Sequence, residues 1–269
     1  MQLYILASGS TGNAMVVASD KTAILIDAGL GPRQLSSRLK QTPIHPSRIA
    51  ACLITHEHSD HVRGLAKTVG RMEIPVVCNY ATWNAITAAA PLLAPMPHVV
   101  LPTSHSTVIG DIEVQSFATS HDAVEPVGYR FCHGRSQLVI ATDLGVVTPG
   151  VLAALRDADE IVLEANHDLE MLQAGPYPYF LKRRVAGDHG HLSNADAARA
   201  LGSVMTSRTK RIHLAHLSQE NNYPALAYST VRDHLREIGA WGRQLQLQIA
   251  PPLVERRSGL VAVGEQLPL

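Results

Sequence analysis

One junction restricts this chain more than any other: Cys52-Leu53-Ile54-Thr55-His56-Glu57-His58-Ser59-Asp60-His61, where an apolar run opens directly onto three histidines and an aspartate. The run from Ile49 to Thr55 reads as a strand. Residues two apart on an extended segment face the same way, so His56, His58 and Asp60 can converge on one point. His61 falls at the start of a following helix and can turn toward a second metal. Imidazole and carboxylate donors together suit zinc, manganese or iron rather than calcium or magnesium. The plain alternative is a solvated histidine-rich turn. Four ligand-type side chains crowded directly behind a buried strand weigh against it.

Hydrophobic patterning around that junction alternates between strand and helix. Strands are predicted at residues 2–7, 15–18 and 22–27, with the turn Ser8–Asn13 (SGSTGN) between the first two. A helix follows over 32–40, with proline in its first turn. After the strand at 49–55 come a short helix at 62–70, a strand at 75–79 and a helix at 81–90. Consecutive strands are expected at 107–109, 112–118, 127–132 and 137–142. The remainder reads as a helix at 149–156, a strand at 160–164, a helix at 194–203, a strand at 211–216, a helix at 224–238 and a strand at 244–249. Pro91–Pro97 reads as a surface loop. The order is mostly β and then αβ, twice over. That suits two mixed sheets packed face to face with helices outside, an α/β (α+β) four-layer αββα sandwich, in one domain spanning residues 1–269.

Composition adds a few exclusions. With 23 basic and 23 acidic residues, no global charge marks the partner as nucleic acid or membrane. Fourteen histidines are the one excess, and histidine is the commonest metal ligand. Cys52, Cys78 and Cys132 are far apart in apolar runs and form no C-x-x-C pair, so they read as small buried hydrophobes. The opening MQLYILASGS has no basic stretch and too short an apolar run for a signal peptide or a membrane span, which makes the cytosol the expected compartment.

His-x-His-x-Asp-His after a strand resembles the signature of the metallo-β-lactamase superfamily. That resemblance implies three more ligands in order. His121 in FATSHDA, Asp143 in IATDLG and His216 in IHLAHLS each follow an apolar strand. Asp122 competes weakly with His121, and His213, lying mid-strand, with His216. The implied site holds two divalent cations, zinc first, with manganese or iron as alternatives. One would take His56, His58, His121 and Asp143, the other Asp60, His61, His216 and the same Asp143. Such a pair bridges a hydroxide and clamps the substrate oxygen, with Asp60 orienting the nucleophile.

Branches of the superfamily separate on further residues. Flavo-diiron proteins place glutamate where His58 stands, and a β-CASP nuclease needs a large insertion that the span from Asp143 to His216 does not offer. SGSTGN, THEHSDH, ATDLG, EANHD, GHLSN and HLSQENN, in this order, resemble the YycJ/WalJ family of metallo-β-lactamase-fold proteins, regarded as 5′→3′ exonuclease-like DNA phosphodiesterases. The likeness runs from the N-terminus to about Ile238 and implies a DNA substrate. Ribonuclease Z offers a parallel in which a histidine paired with a glutamate protonates the leaving oxygen. Here His191 in GHLSN and Glu164 in LEAN correspond, although a strand-end surface charge and a helix-start histidine are their plain readings. Asn13 and His167 are candidate substrate-binding residues, Asn13 in a turn that an ordinary hairpin would also show. The basic run Lys182–Arg184 could meet phosphates or be a solvated face. A hydrolase of a small ester, thioester or lactone on the same centre is the rival activity.

Overall fold

The computed structural model describes residues 1–242 and 244–252. Two sheets form on one plan. In the first, β1 (Gln2–Ala7), β2 (Ala14–Ala18) and β3 (Ala23–Ile26) make an antiparallel meander. Then β4 (Ile49–Leu53), β5 (Val76–Cys78) and β6 (His98–Val100) continue it in parallel. The second sheet repeats the scheme. Strands β7 (Ser106–Ile109), β8 (Ile112–Ala118), β9 (Val127–His133) and β10 (Ser136–Ala141) are antiparallel neighbours. Strands β11 (Glu160–Glu164), β12 (Arg211–Ala215) and β13 (Gln246–Ile249) add on in parallel.

Alternation within the strands sorts side chains into three apolar layers. Val17, Ile24 and Leu53 of the first sheet meet Val114, Tyr129, Phe131 and Ile140 of the second in the layer between the sheets. Leu25, Cys52 and Ile54 face the other way, against the helices at Pro32–Leu39 and Tyr80–Ala89. Val139, Ile161, Leu163 and Ile212 pack under the helices at Pro149–Leu155, Asn194–Val204 and Pro224–Glu237. These are the four layers of the αββα sandwich. The two sheets share an apolar middle, which is why several central strands are apolar on nearly every residue.

The helix expected over 62–70 forms in pieces. A single turn, Ser59–Val62, comes first, and a wide π-type turn follows at Leu65–Val69. Gly64 lies between them because a Cβ there would stand 2.1 Å from the Leu30 carbonyl oxygen. The stretch Pro91–Pro97, expected to be loop, holds only a short 3-10 turn at Pro91–Leu93, while β6 beyond it and two short helices, Leu169–Ala174 and Tyr179–Val185, occupy ground left unassigned by the pattern. The part of the expected domain beyond residue 252 lies outside the described residues. No helix among the described residues is long and apolar enough to cross a membrane.

Candidate metal centre

Six strand ends deliver the site. Asp27 follows β3, Thr55 to His61 follow β4, His121 lies in the loop beyond β8, and Asp143 in the loop beyond β10. Glu164 is the last residue of β11, and His216 comes directly after β12. Ligand-type atoms of His56, His58 and His121 lie within 4.8 Å of one another, and so do those of Asp60, His61 and His216. Asp143 belongs to two further such groups, one with His56 and His61, the other with Glu164, His191 and His216. All seven expected ligand positions therefore meet, with Asp143 between the two trios.

The imidazoles are held from behind. His61 Nδ1 donates to Asp27 Oδ2 at 2.8 Å, His121 Nδ1 to the Gly190 carbonyl at 2.9 Å, and His216 Nδ1 to Glu164 Oε1 at 2.7 Å. His56 Nδ1 lies 3.0 Å from the Thr55 hydroxyl, which itself donates to Asp27. With Nδ1 engaged, each ring turns the Nε2 lone pair toward the cluster, the arrangement by which carboxylates and carbonyls orient metal-ligating histidines. Nε2 of His56, Nε2 of His216 and Oδ2 of Asp143 are buried without a hydrogen-bond partner. Unsatisfied polar atoms cost about 1–3 kcal/mol each, so three in one cluster mark a place built for cations. The donor set, five imidazoles and two carboxylates, fits two divalent ions.

Backbone geometry points to the same spot. Asp27, Asp143 and His216 all adopt left-handed φ, at 59°, 59° and 56°. They are three of the six non-glycine residues with left-handed φ among the described residues, and residues in that region tend to collect at functional sites. Gly29 brings the first turn close: a Cβ there would fall 1.6 Å from the Asp60 carbonyl oxygen. That same oxygen accepts from the Asn13 backbone N–H at 2.8 Å.

Charges settle accordingly. Burial pushes the His56 imidazole down, and the neighbouring His61, His121 and His58 push it further. Burial also lowers His121. Burial opposes positive charge at His216 too, yet Asp143, Asp60 and Glu164 around it draw positive charge to this point. For Glu164, burial would favour the neutral acid, but His191 and His216 hold its carboxyl well below the usual range. His191 is raised: burial disfavours its charge, and Glu164 more than compensates.

Glu164 is not a surface charge. It is fully buried, with Oε1 accepting from His191 Nδ1 at 2.9 Å and from His216 Nδ1, while Oε2 accepts the backbone N–H groups of Leu144 and Leu192. It positions two imidazoles and touches nothing outside. His191 stands with ring centroids 5.0 Å from His121 and 5.2 Å from His216, its side chain 23% exposed. Two expectations are corrected. Asn13 is buried, and its amide donates to Asp60 Oδ2 at 3.0 Å, so it fixes that carboxylate rather than meeting substrate. His167 is buried at 1% exposure, close enough to Glu164 and His191 to feel their charge, and presents no ring atom to solvent. His213 bonds Glu160, on the β11–β12 pair. Asp122 sits at the rim, 3.3 Å from His121 Nε2 and paired with Arg184. Asp27 and Thr55 went unsuspected in the sequence, where IDAG reads as a strand running into a glycine turn.

Comparison with known proteins gives the family. The family described as "Beta-lactamase superfamily domain" matches residues 22–214. The chain is 40% identical over 239 residues to the exodeoxyribonuclease YycJ of Bacillus anthracis, covering 89% of this chain and 90% of that protein. It is 38% identical to the exodeoxyribonuclease WalJ of Streptococcus pneumoniae serotype 2, covering 87% of each. Among solved structures, the metallo-β-lactamase-fold protein YhfI from Bacillus subtilis superposes with a TM-score of 0.66 at 15% identity, over 93% of this chain and 95% of that one.

Proposed function

Since the chain belongs to the β-lactamase superfamily and, within it, to the YycJ/WalJ family, we propose that it is a metal-dependent exodeoxyribonuclease that hydrolyses phosphodiester bonds from the end of a DNA strand. The observation that carries this reading is His191. A buried carboxylate backs its Nδ1, and its ring stands beside the ligand cluster. Cleaving a phosphodiester expels a poor alkoxide, and a charged imidazole whose Nε2 remains available can protonate it. Glu164 acts through His191 by keeping that proton in place.

In this reading His56, His58 and His121 hold one divalent cation, Asp60, His61 and His216 the other, and Asp143 serves both. When bound, such a pair supplies Lewis acidity that polarises the phosphoryl oxygen and brings water toward ionisation near neutral pH. Zinc comes first for an imidazole-rich set, with manganese or iron as alternatives. Asp60, fixed by Asn13, orients the attacking water, and Asp27 with Thr55 keeps His61 and His56 in register. Ligands drawn from both sheets support reading the chain as a single domain. The free thiols of Cys52, Cys78 and Cys132 suit a reducing compartment, which supports a cytosolic enzyme.

The test is product mapping. Metal-loaded protein given end-labelled single- and double-stranded oligonucleotides, with and without 5′-phosphate, is expected to shorten them stepwise from one end. Inertness toward every one of these, joined to rapid turnover of a thioester or lactone, would replace this reading with the small-ester one.

A further inference from the structure

The helix Tyr179–Val185 has no part in the centre just described, yet its far end is fastened to it. Val185 O accepts the His191 backbone N–H at 2.9 Å. Arg184 pairs at 2.6 Å with Asp122, whose carboxylate lies 3.3 Å from His121 Nε2. At the near end Tyr179 and Phe180 are 76% and 72% exposed, the two most exposed large hydrophobic side chains among the described residues. A chain with only three phenylalanines leaves one of them in solvent here. The Arg183 guanidinium lies over the Tyr179 ring, 5.9 Å from its centre. Beside them runs a groove of about 390 Å³ lined by Leu169, Leu172, Tyr179, Lys182 and Arg183. Pro176 and Pro178 stiffen the approach to the helix.

We propose that Tyr179 and Phe180, with the cations of Lys182–Arg184, form a platform on which unpaired bases of the DNA strand stack as its end enters the metal centre. The inference rests on the nuclease reading and specifies how its substrate is held. Stacked aromatics flanked by basic side chains are how proteins grip single strands without reading sequence. A chain with no net charge gathers three consecutive cations on this helix; Arg184 is taken by Asp122, and Lys182 and Arg183 remain to meet the phosphates of an approaching strand. Six helical steps at about 1.5 Å each put the aromatic pair roughly 9 Å along the axis from the end that meets His191, a span of two or three stacked nucleotides.

Anisotropy on metal-loaded protein with a phosphorothioate-linked single-stranded oligonucleotide tests it. The double variant Tyr179→Ala with Phe180→Ala is expected to weaken binding by about ten-fold or more, and Tyr179→Phe with Phe180→Tyr to keep it. Hydrolysis of bis(p-nitrophenyl) phosphate, which has no base to stack, should be unchanged in both. Undiminished oligonucleotide affinity in the alanine variant overturns the platform. So does a dimer that dissociates in that variant while affinity stays intact, which would make the aromatics a contact between copies. A wild-type protein that cleaves neither DNA nor the small diester instead sinks the nuclease reading, and anisotropy still decides the platform separately.

Discussion

His191 has one ring nitrogen engaged by Glu164 and the other available, and that asymmetry makes its role measurable. His191→Ala is expected to lower kcat on DNA by about 10²–10⁴-fold, yet to spare bis(p-nitrophenyl) phosphate, whose nitrophenolate leaves without a proton. Parallel kinetics on the two substrates check this; equal losses on both would assign the ring to metal or phosphate binding instead. Asp27→Asn keeps the shape of its side chain but removes the charge behind His61. Metal affinity should fall about 10–100-fold, read by competition with a chromogenic chelator. The side chains that gather in the cluster were legible because each stands at the end of an apolar run and in the order the superfamily uses. Asp27 was not, since its function depends on β3 and β4 being neighbours, which no local pattern states. Asn13 and His167 were noticed for their motifs, but burial, a property of the whole fold, decided what they can touch.

The parallel pair β11–β12 shows what an element contributes away from the chemistry. Glu160, buried at the start of β11, accepts from His213 Nε2 at 2.7 Å and from Arg211 at 2.8 Å across the pair. Burial would raise its pKa, but those two donors hold the carboxyl below its ordinary value. A depressed folded pKa stabilises fully above the unfolded value of about 4.3 and is lost as pH falls through the folded one. Glu160→Gln should therefore cost about 1–2 kcal/mol at neutral pH, the half-exposed Arg211 limiting the figure. The gap to wild type should narrow as the medium is acidified below about pH 4, measured by urea melts across pH. At this scale long strands and amphipathic helices were readable. The three-residue β6, following a proline-rich stretch, was too short to show a period. The interruption before Leu65–Val69 is not written in the local pattern, because Gly64's close approach to the Leu30 backbone breaks the helix from outside it.

Across the whole molecule, the two sheets follow one plan, and Asp27 and Asp143 mark it. Each follows the strand at which its sheet changes from antiparallel to parallel, with the same backbone twist. The repetition of mostly-β and αβ segments was visible in the sequence, and the strand-end placement of the expected ligands already implied that both units put their strand ends at a common edge. Each proposed ligand trio takes two side chains from the segment after β4 and one from the second sheet. Stripping divalent ions with a chelator is thus expected to lower the melting temperature as well as abolish activity. Saturating ion at a thousand times its Kd contributes about 4 kcal/mol, an effect calorimetry with and without chelator would register. An unchanged melting temperature would show that the sheets hold together without help from the site. Ions shared in this way would act as rivets between two plates, and a cell short of the ion would lose this protein to proteases as well as its turnover.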